Sequence, residues 1–121
     1  MDPNSPSEHN CARLPLADLR RMAAGGNADA MDQLGKRLYF GQNEMGKEVI
    51  PINKSEGVLW LIKAYHAGFR DESSCNVLGV ASQLGTGAPM DLDAAREWMR
   101  RGEAIREAGR KRRQAMGAER F

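Results

Sequence analysis

The stretch "MDQLGKRLYFG", residues 31–41, places Gly35 in the middle of a segment that is otherwise typical of a helix. An interior glycine costs a helix about 1 kcal/mol relative to alanine. The stretch "CNVLGVASQLG", residues 75–85, repeats the Leu-Gly pair at Gly79 and again has a glycine six residues later. Because the cost recurs at the same spacing, we interpret both interior glycines as points of close helix–helix contact.

Capping residues and apolar spacing predict five helices and no strand. Asn27, Asn53 and Asp71 are suitable N-cap residues, and Gly41 and Gly68 are suited to helix ends. Apolar residues recur at three- and four-residue steps between these signals, which indicates one buried face per helix. With their capping residues, the predicted helices cover 15–26, 27–41, 53–68, 71–84 and 91–116.

The helices fall into two similar pairs. The pair Leu34-Gly35 returns 44 residues later, and Trp60 returns as Trp98, 38 residues later. The difference of six residues is an insertion in the first loop, between Gly41 and Trp60. Two units of this length, with small residues at matched places, are typical of stacked helix pairs.

The two units resemble the Sel-one-like repeat, a branch of the tetratricopeptide-like helical repeats, over roughly residues 15–104. The first unit matches the pattern at Ala30, Leu34, Gly35, Leu38, Gly41, Gly57, Trp60, Ala64 and Gly68, and the second at Ser74, Leu78, Gly79, Ser82, Gly85, Ala95 and Trp98. Leu38 and Ser82 stand where the family has tyrosine, Gly57 and Ser74 where it has alanine. The resemblance implies an all-α fold, a short α-solenoid of antiparallel helix pairs with flanking helices.

Charge and composition divide the chain into three parts. Residues 1–14 contain two prolines and several polar residues, and we expect a disordered lead-in there. Residues 15–104 form the expected repeat domain, and residues 105–121 a basic C-terminal helix extension. Residues 1–95 hold nine basic and twelve acidic side chains, whereas residues 96–121 hold nine basic and four acidic ones. The basic character therefore belongs to the C-terminal part.

Several classes of protein and site find no support in the sequence. No run of 18 apolar residues predicts a membrane span, and the N-terminus lacks the basic and apolar regions of a secretory signal. Two cysteines make no disulfide framework, so we expect a reduced, cytoplasmic protein. His9 and His66 offer no spacing suited to zinc, and no nucleophile, metalloprotease or phosphate-loop motif is present. We therefore predict no enzyme activity, metal or cofactor.

The resemblance also implies where a partner would bind. In tetratricopeptide-like repeats the first helix of each unit lines a concave groove, which here implies Asp32, Lys36, Tyr39, Asn76, Val80 and Gln83. An interaction adaptor or regulator would receive a helix or an extended segment of another protein in such a groove. Solenoids usually need about three repeats for stability, so we expect a chain with two to depend on its terminal helices, on self-association or on the partner.

The C-terminal run "REAGRKRRQAMGAER" allows three interpretations. Its cations are Arg106, Arg110, Lys111, Arg112, Arg113 and Arg120. Basic residues near a helix C-terminus are favourable electrostatically, so the run is consistent with a solvated helix end. It is also a candidate docking site, first for an acidic protein and then for a nucleic acid, since no aromatic residue is interleaved. A nucleic-acid-associated protein acting through this helix is thus the alternative function.

Overall fold

The computed structural model describes residues 14–41 and 51–119, and side chains as far as residue 117. Five helices and no strand occur in this part of the chain, as the sequence predicts. They are α1 (Leu16–Ala24), α2 (Ala28–Phe40), α3 (Lys54–His66), α4 (Glu72–Leu84) and α5 (Leu92–Glu119). Arg120 and the predicted lead-in, apart from residue 14, lie outside the described residues.

The helix ends follow the predicted capping residues. The side chains of Asn27, Asn53 and Asp71 each accept a hydrogen bond from the backbone N–H three residues later, at 2.9, 3.1 and 3.2 Å. These bonds satisfy N–H groups that have no partner inside the helix. Gly41 and Gly85 end α2 and α4 with a φ of 71° each, a left-handed conformation that glycine adopts without strain. The two first helices of the pairs therefore begin and end alike.

Helices α2 and α3 form an antiparallel hairpin that closes on two facing glycines. A Cβ atom added to Gly35 would lie 2.8 Å from the carbonyl oxygen of Gly57 and 2.8 Å from Cγ of Leu61. A Cβ added to Gly57 would lie 2.8 Å from the carbonyl oxygen of Gly35 and from the backbone nitrogen of Tyr39. Only residues without a side chain allow the two backbones this close, which confirms the interpretation of Gly35.

Helices α4 and α5 form the second antiparallel hairpin, with a looser contact at its glycine. A Cβ added to Gly79 would lie 2.9 Å from Cγ of Met99 but 3.4 Å from the carbonyl oxygen of Ala95. Ala95 occupies the place that Gly57 has in the first hairpin, so its methyl group keeps the backbones further apart. Gly79 is confirmed as a contact point, although its closest neighbour is a flexible side chain.

Two apolar clusters hold the helices together. The first consists of Leu19, Ala23, Ala30, Leu34 and Leu38, from α1 and α2, with the partly buried Trp60 packed against it. The second draws on four helices and contains Tyr39, Val58, Leu61, Cys75, Leu78, Ala81 and Trp98. Trp98 is therefore a core residue, and Trp60 lies at the edge of the first cluster. Because the second cluster includes residues of α2 and α3, it joins one hairpin to the other.

Helix α5 extends beyond the helix that it packs against. Arg106, which lies 3.6 Å from Glu72 at the start of α4, is its last residue with an ion pair to another helix among the described residues. The predicted boundary between residues 104 and 105 falls inside this continuous helix. Among the described residues, no hydrogen bond or ion pair joins residues 107–117 to another helix. We call this segment the overhang.

Candidate functional site

An apolar depression lies between the first helices of the two hairpins. Tyr39 and Phe40 of α2 and Asn76, Val77 and Val80 of α4 line it. Its volume is about 260 Å³, and most of its exposed surface is apolar. We call it the α2–α4 groove.

The groove has one fixed wall and two accessible apolar side chains. Tyr39 is buried, its hydroxyl lies 2.8 Å from Oγ1 of Thr86, and the ammonium of Lys54 lies 4.0 Å from its ring centroid. These contacts tie the end of α2 to the turn after α4 and hold the ring in place. Phe40, edge-on to Tyr39 at 5.0 Å, is 49% exposed, and Val80 is 41% exposed. A partner could therefore contact Phe40 and Val80 without disturbing the core.

A charged network joins the same two helices one or two turns closer to the N-terminus of α2. Nζ of Lys36 lies 2.9 Å from Oδ2 of Asp32 and 3.1 Å from Oδ2 of Asp71. The hydroxyl of Ser74 donates a hydrogen bond to Asp32 and lies 3.1 Å from Asp71, and Oγ of Ser73 accepts from Lys36 at 3.1 Å. Asp32 is fully buried, whereas the Lys36 side chain keeps 26% of its surface exposed.

Burial and the neighbouring charges have opposite effects on the pKa values of the residues in this network. Burial raises the pKa of Asp32 above its ordinary value, and the Ser74 hydrogen bond and the Lys36 charge only partly offset it. Burial also acts to raise the pKa of Asp71, but the hydrogen bonds from Ser73 and Lys36 outweigh it and leave that pKa lowered. Burial acts to lower the pKa of Lys36, and the two carboxylates together raise it. The network is a structural ion cluster that links α2 to α4.

The structure brings together three of the six residues expected in a partner-binding groove. Tyr39, Asn76 and Val80 line the α2–α4 groove. Asp32 does not, because it is buried beneath Lys36 and Ser74, and the prediction that it faces a partner is wrong.

The other two predicted groove residues lie outside it. Lys36 is engaged in the charged network and is not among the residues that line the groove. Gln83 lines a different depression, together with Leu92, Ala95, Arg96 and Met99 of α5. Phe40 and Val77 line the groove but were missed. Each follows a predicted groove residue in the sequence, Phe40 after Tyr39 and Val77 after Asn76. The sequence signal for Phe40 was a large aromatic residue placed directly before the glycine that ends α2.

The basic residues of α5 differ in how far their charges are paired. Arg106 lies 3.6 Å from Glu72 and also from Glu103, and Arg110 pairs with Glu107 within the helix. Lys111, Arg112 and Arg113 are exposed and have no ion pair to any described residue. Three unpaired cations therefore follow one another near the end of the chain.

The described residues contain no group of three or more His, Cys, Asp or Glu side chains placed to hold a metal ion. Burial raises the pKa of Cys75, so its thiol is protonated and a poor nucleophile at neutral pH. Within the same residues, no helix combines the length and the apolar content needed to cross a membrane.

A solved structure is similar to this chain at low sequence identity. No family model matches the chain, and no curated protein is significantly similar to it. Among solved structures, the chain is similar to a Sel1 repeat protein from Oxalobacter formigenes, with 23% sequence identity and a TM-score of 0.37. The similarity covers 78% of this chain and 93% of that one.

Proposed function

We propose that the protein is a non-catalytic interaction module, an adaptor or regulator that binds a segment of another protein in the α2–α4 groove. The observation that carries this proposal is the pair of exposed apolar side chains, Phe40 and Val80, set against the fixed ring of Tyr39. Water contacts this apolar surface in the free protein, and a partner that covers it gains the hydrophobic free energy. A cytoplasmic location belongs to the same proposal.

The size of the groove indicates the kind of segment it would receive. At about 260 Å³ it is smaller than the pockets of about 300–1,000 Å³ that hold small molecules. It has room for an apolar anchor side chain, and the surface that it presents is almost entirely apolar. A helix or an extended segment with one large apolar anchor fits this description.

Peptide selection tests the proposal. A library of random peptides of about twelve residues is selected on the wild-type protein, and the Kd of the recovered peptides is measured by fluorescence anisotropy. We expect recovered peptides to share a large apolar anchor. We also expect Val80→Asp to raise their Kd at least about tenfold, because a charge in the groove must be desolvated when the anchor enters.

The matched control places the same charge outside the groove. Leu59 on α3 is 59% exposed and does not line the groove, so Leu59→Asp leaves the Kd within about twofold. Recovered peptides that bind the Val80→Asp and Leu59→Asp variants equally well would show that the groove is not the binding site.

A further inference from the structure

The overhang of α5 is a helix that stands clear of the rest of the described protein. A Cβ added to Gly109 would meet only Arg113 of the same helix, at 3.5 Å, and a Cβ added to Gly117 would meet nothing within 4 Å. All but two of the overhang residues are exposed, and the exceptions are those two glycines. An unpacked helix of this kind keeps every side available to a partner.

Cations surround this helix on all sides. Arg110, Lys111, Arg112 and Arg113 are consecutive, and successive residues of an α-helix point about 100° apart. Four consecutive side chains therefore project around the whole circumference. Among the described residues, only Arg110 of these four forms an ion pair, with Glu107, whose carboxylate also interacts with the charge of Lys111.

The distribution of charge distinguishes between the possible partners. An acidic protein surface would contact one side of the overhang and leave the opposite cations in water. A groove with anions on both walls would contact all of them. The major groove of duplex DNA is about 12 Å wide and admits a helix, whose diameter with side chains is about 10–12 Å.

We propose that the overhang binds double-stranded DNA by entering the major groove and contacting phosphates on both walls. The packing of Gly102 on α4 and the Arg106–Glu72 pair fix the base of the overhang to the body of the protein. No aromatic residue lies in the overhang, and the cations serve phosphates rather than base edges, so binding is independent of sequence. This function is separate from that of the α2–α4 groove.

The test is a salt series on the full chain with a labelled DNA duplex of about 20 base pairs and random sequence. Neutralising about three to four phosphates gives a slope of roughly −3 in a plot of log K against log salt. We expect affinity to fall roughly 40- to 150-fold between about 50 and 200 mM salt. An RNA duplex of the same sequence should bind more weakly, because its major groove is too narrow for a helix.

Two variants with the same change in net charge locate the binding site. The overhang variant carries Arg110→Gln, Lys111→Gln, Arg112→Gln and Arg113→Gln, and we expect it to bind DNA at least about 30-fold more weakly at 50 mM salt. The control carries Arg21→Gln, Lys63→Gln, Arg96→Gln and Arg100→Gln at exposed positions elsewhere, and its affinity should stay within about threefold. Circular dichroism confirms that both variants keep their helices.

Four results would overturn the proposal. The first is no binding of the wild-type protein to the DNA duplex at 50 mM salt. The second is an equal loss of DNA affinity in both variants, which would show that binding depends only on net charge. The third is equal affinity for the RNA duplex, which would exclude entry into the major groove. The fourth is tighter binding of polyglutamate than of DNA to the overhang, which would indicate an acidic protein as the partner.

Discussion

Lys36→Met is expected to lower the free energy of unfolding by about 3 kcal/mol at pH 7. Removing one partner of a buried ion pair leaves the other charge uncompensated, which typically costs about 3–5 kcal/mol. Asp32 is fully buried, so its carboxylate would keep only the hydrogen bond from Ser74. We place the loss at the lower end of the range because the Lys36 side chain is 26% exposed.

The loss is expected to shrink as the pH falls. Burial already raises the pKa of Asp32 in the folded protein, and Lys36 is one of the groups that lower it. Without Lys36 that pKa rises further, so the buried carboxyl takes up a proton at a higher pH. A raised carboxyl pKa favours the folded state below it, and this contribution is lost as the pH rises through it. The difference between wild type and variant is therefore largest at neutral pH and smaller near pH 4.

Urea unfolding at several pH values between about 4 and 7 measures this difference. Lys63→Met is the control, since Lys63 is an exposed lysine of α3, and it should change stability by less than about 0.5 kcal/mol. The double variant Asp32→Asn/Lys36→Met should recover more than half of the loss, because no buried charge remains. A loss in Lys36→Met that is the same at every pH would contradict this account of the network.

Gly35→Ala is expected to lower the free energy of unfolding by about 2 kcal/mol. The new methyl group would lie 2.8 Å from the carbonyl oxygen of Gly57, which belongs to a helix backbone and cannot move alone. Overpacking costs about 1–3 kcal/mol, and a clash with a helix backbone belongs at the upper end of that range, about 3 kcal/mol, while the gain in helix propensity returns about 1 kcal/mol. The expected loss in the free energy of unfolding is therefore the cost of the clash minus the gain in helix propensity.

The same substitution at two other glycines provides the controls. Gly79→Ala meets the flexible side chain of Met99, so its loss should be smaller, within about 1 kcal/mol of wild type. Gly109→Ala lies in the overhang and meets only Arg113 at 3.5 Å, so it should stabilise by up to about 1 kcal/mol. Urea unfolding of the three variants ranks their free energies of unfolding. A Gly35→Ala variant as stable as Gly109→Ala would refute the close contact between Gly35 and Gly57.

The helices could be predicted from the sequence because their signals are local. Asn27, Asn53 and Asp71 act on N–H groups three residues away, and glycines at the ends need no partner elsewhere in the chain. The contact at Gly35 could be predicted from its cost to the helix. Gly57 as the facing glycine could not, because spacing within α2 does not fix the register of α3 against it.

The groove was only partly predictable because side-chain burial depends on neighbours that are distant in sequence. Helical spacing places Asp32 and Tyr39 on a common face but does not reveal that Ser74 covers the first of them. Aspartate is seldom fully buried, so the residue type alone predicted that the side chain of Asp32 would be exposed. Phe40 was missed because the periodicity indicates the direction of a residue and not the space beside it.

The most direct test of the central claim, that helical hairpins close on their glycines, is a nuclear Overhauser spectrum of the folded protein. The account predicts strong cross-peaks between the α protons of Gly35 and the methyl groups of Leu61, and between those of Gly79 and the side chain of Met99. With all four residues assigned, the absence of both sets of cross-peaks would contradict it.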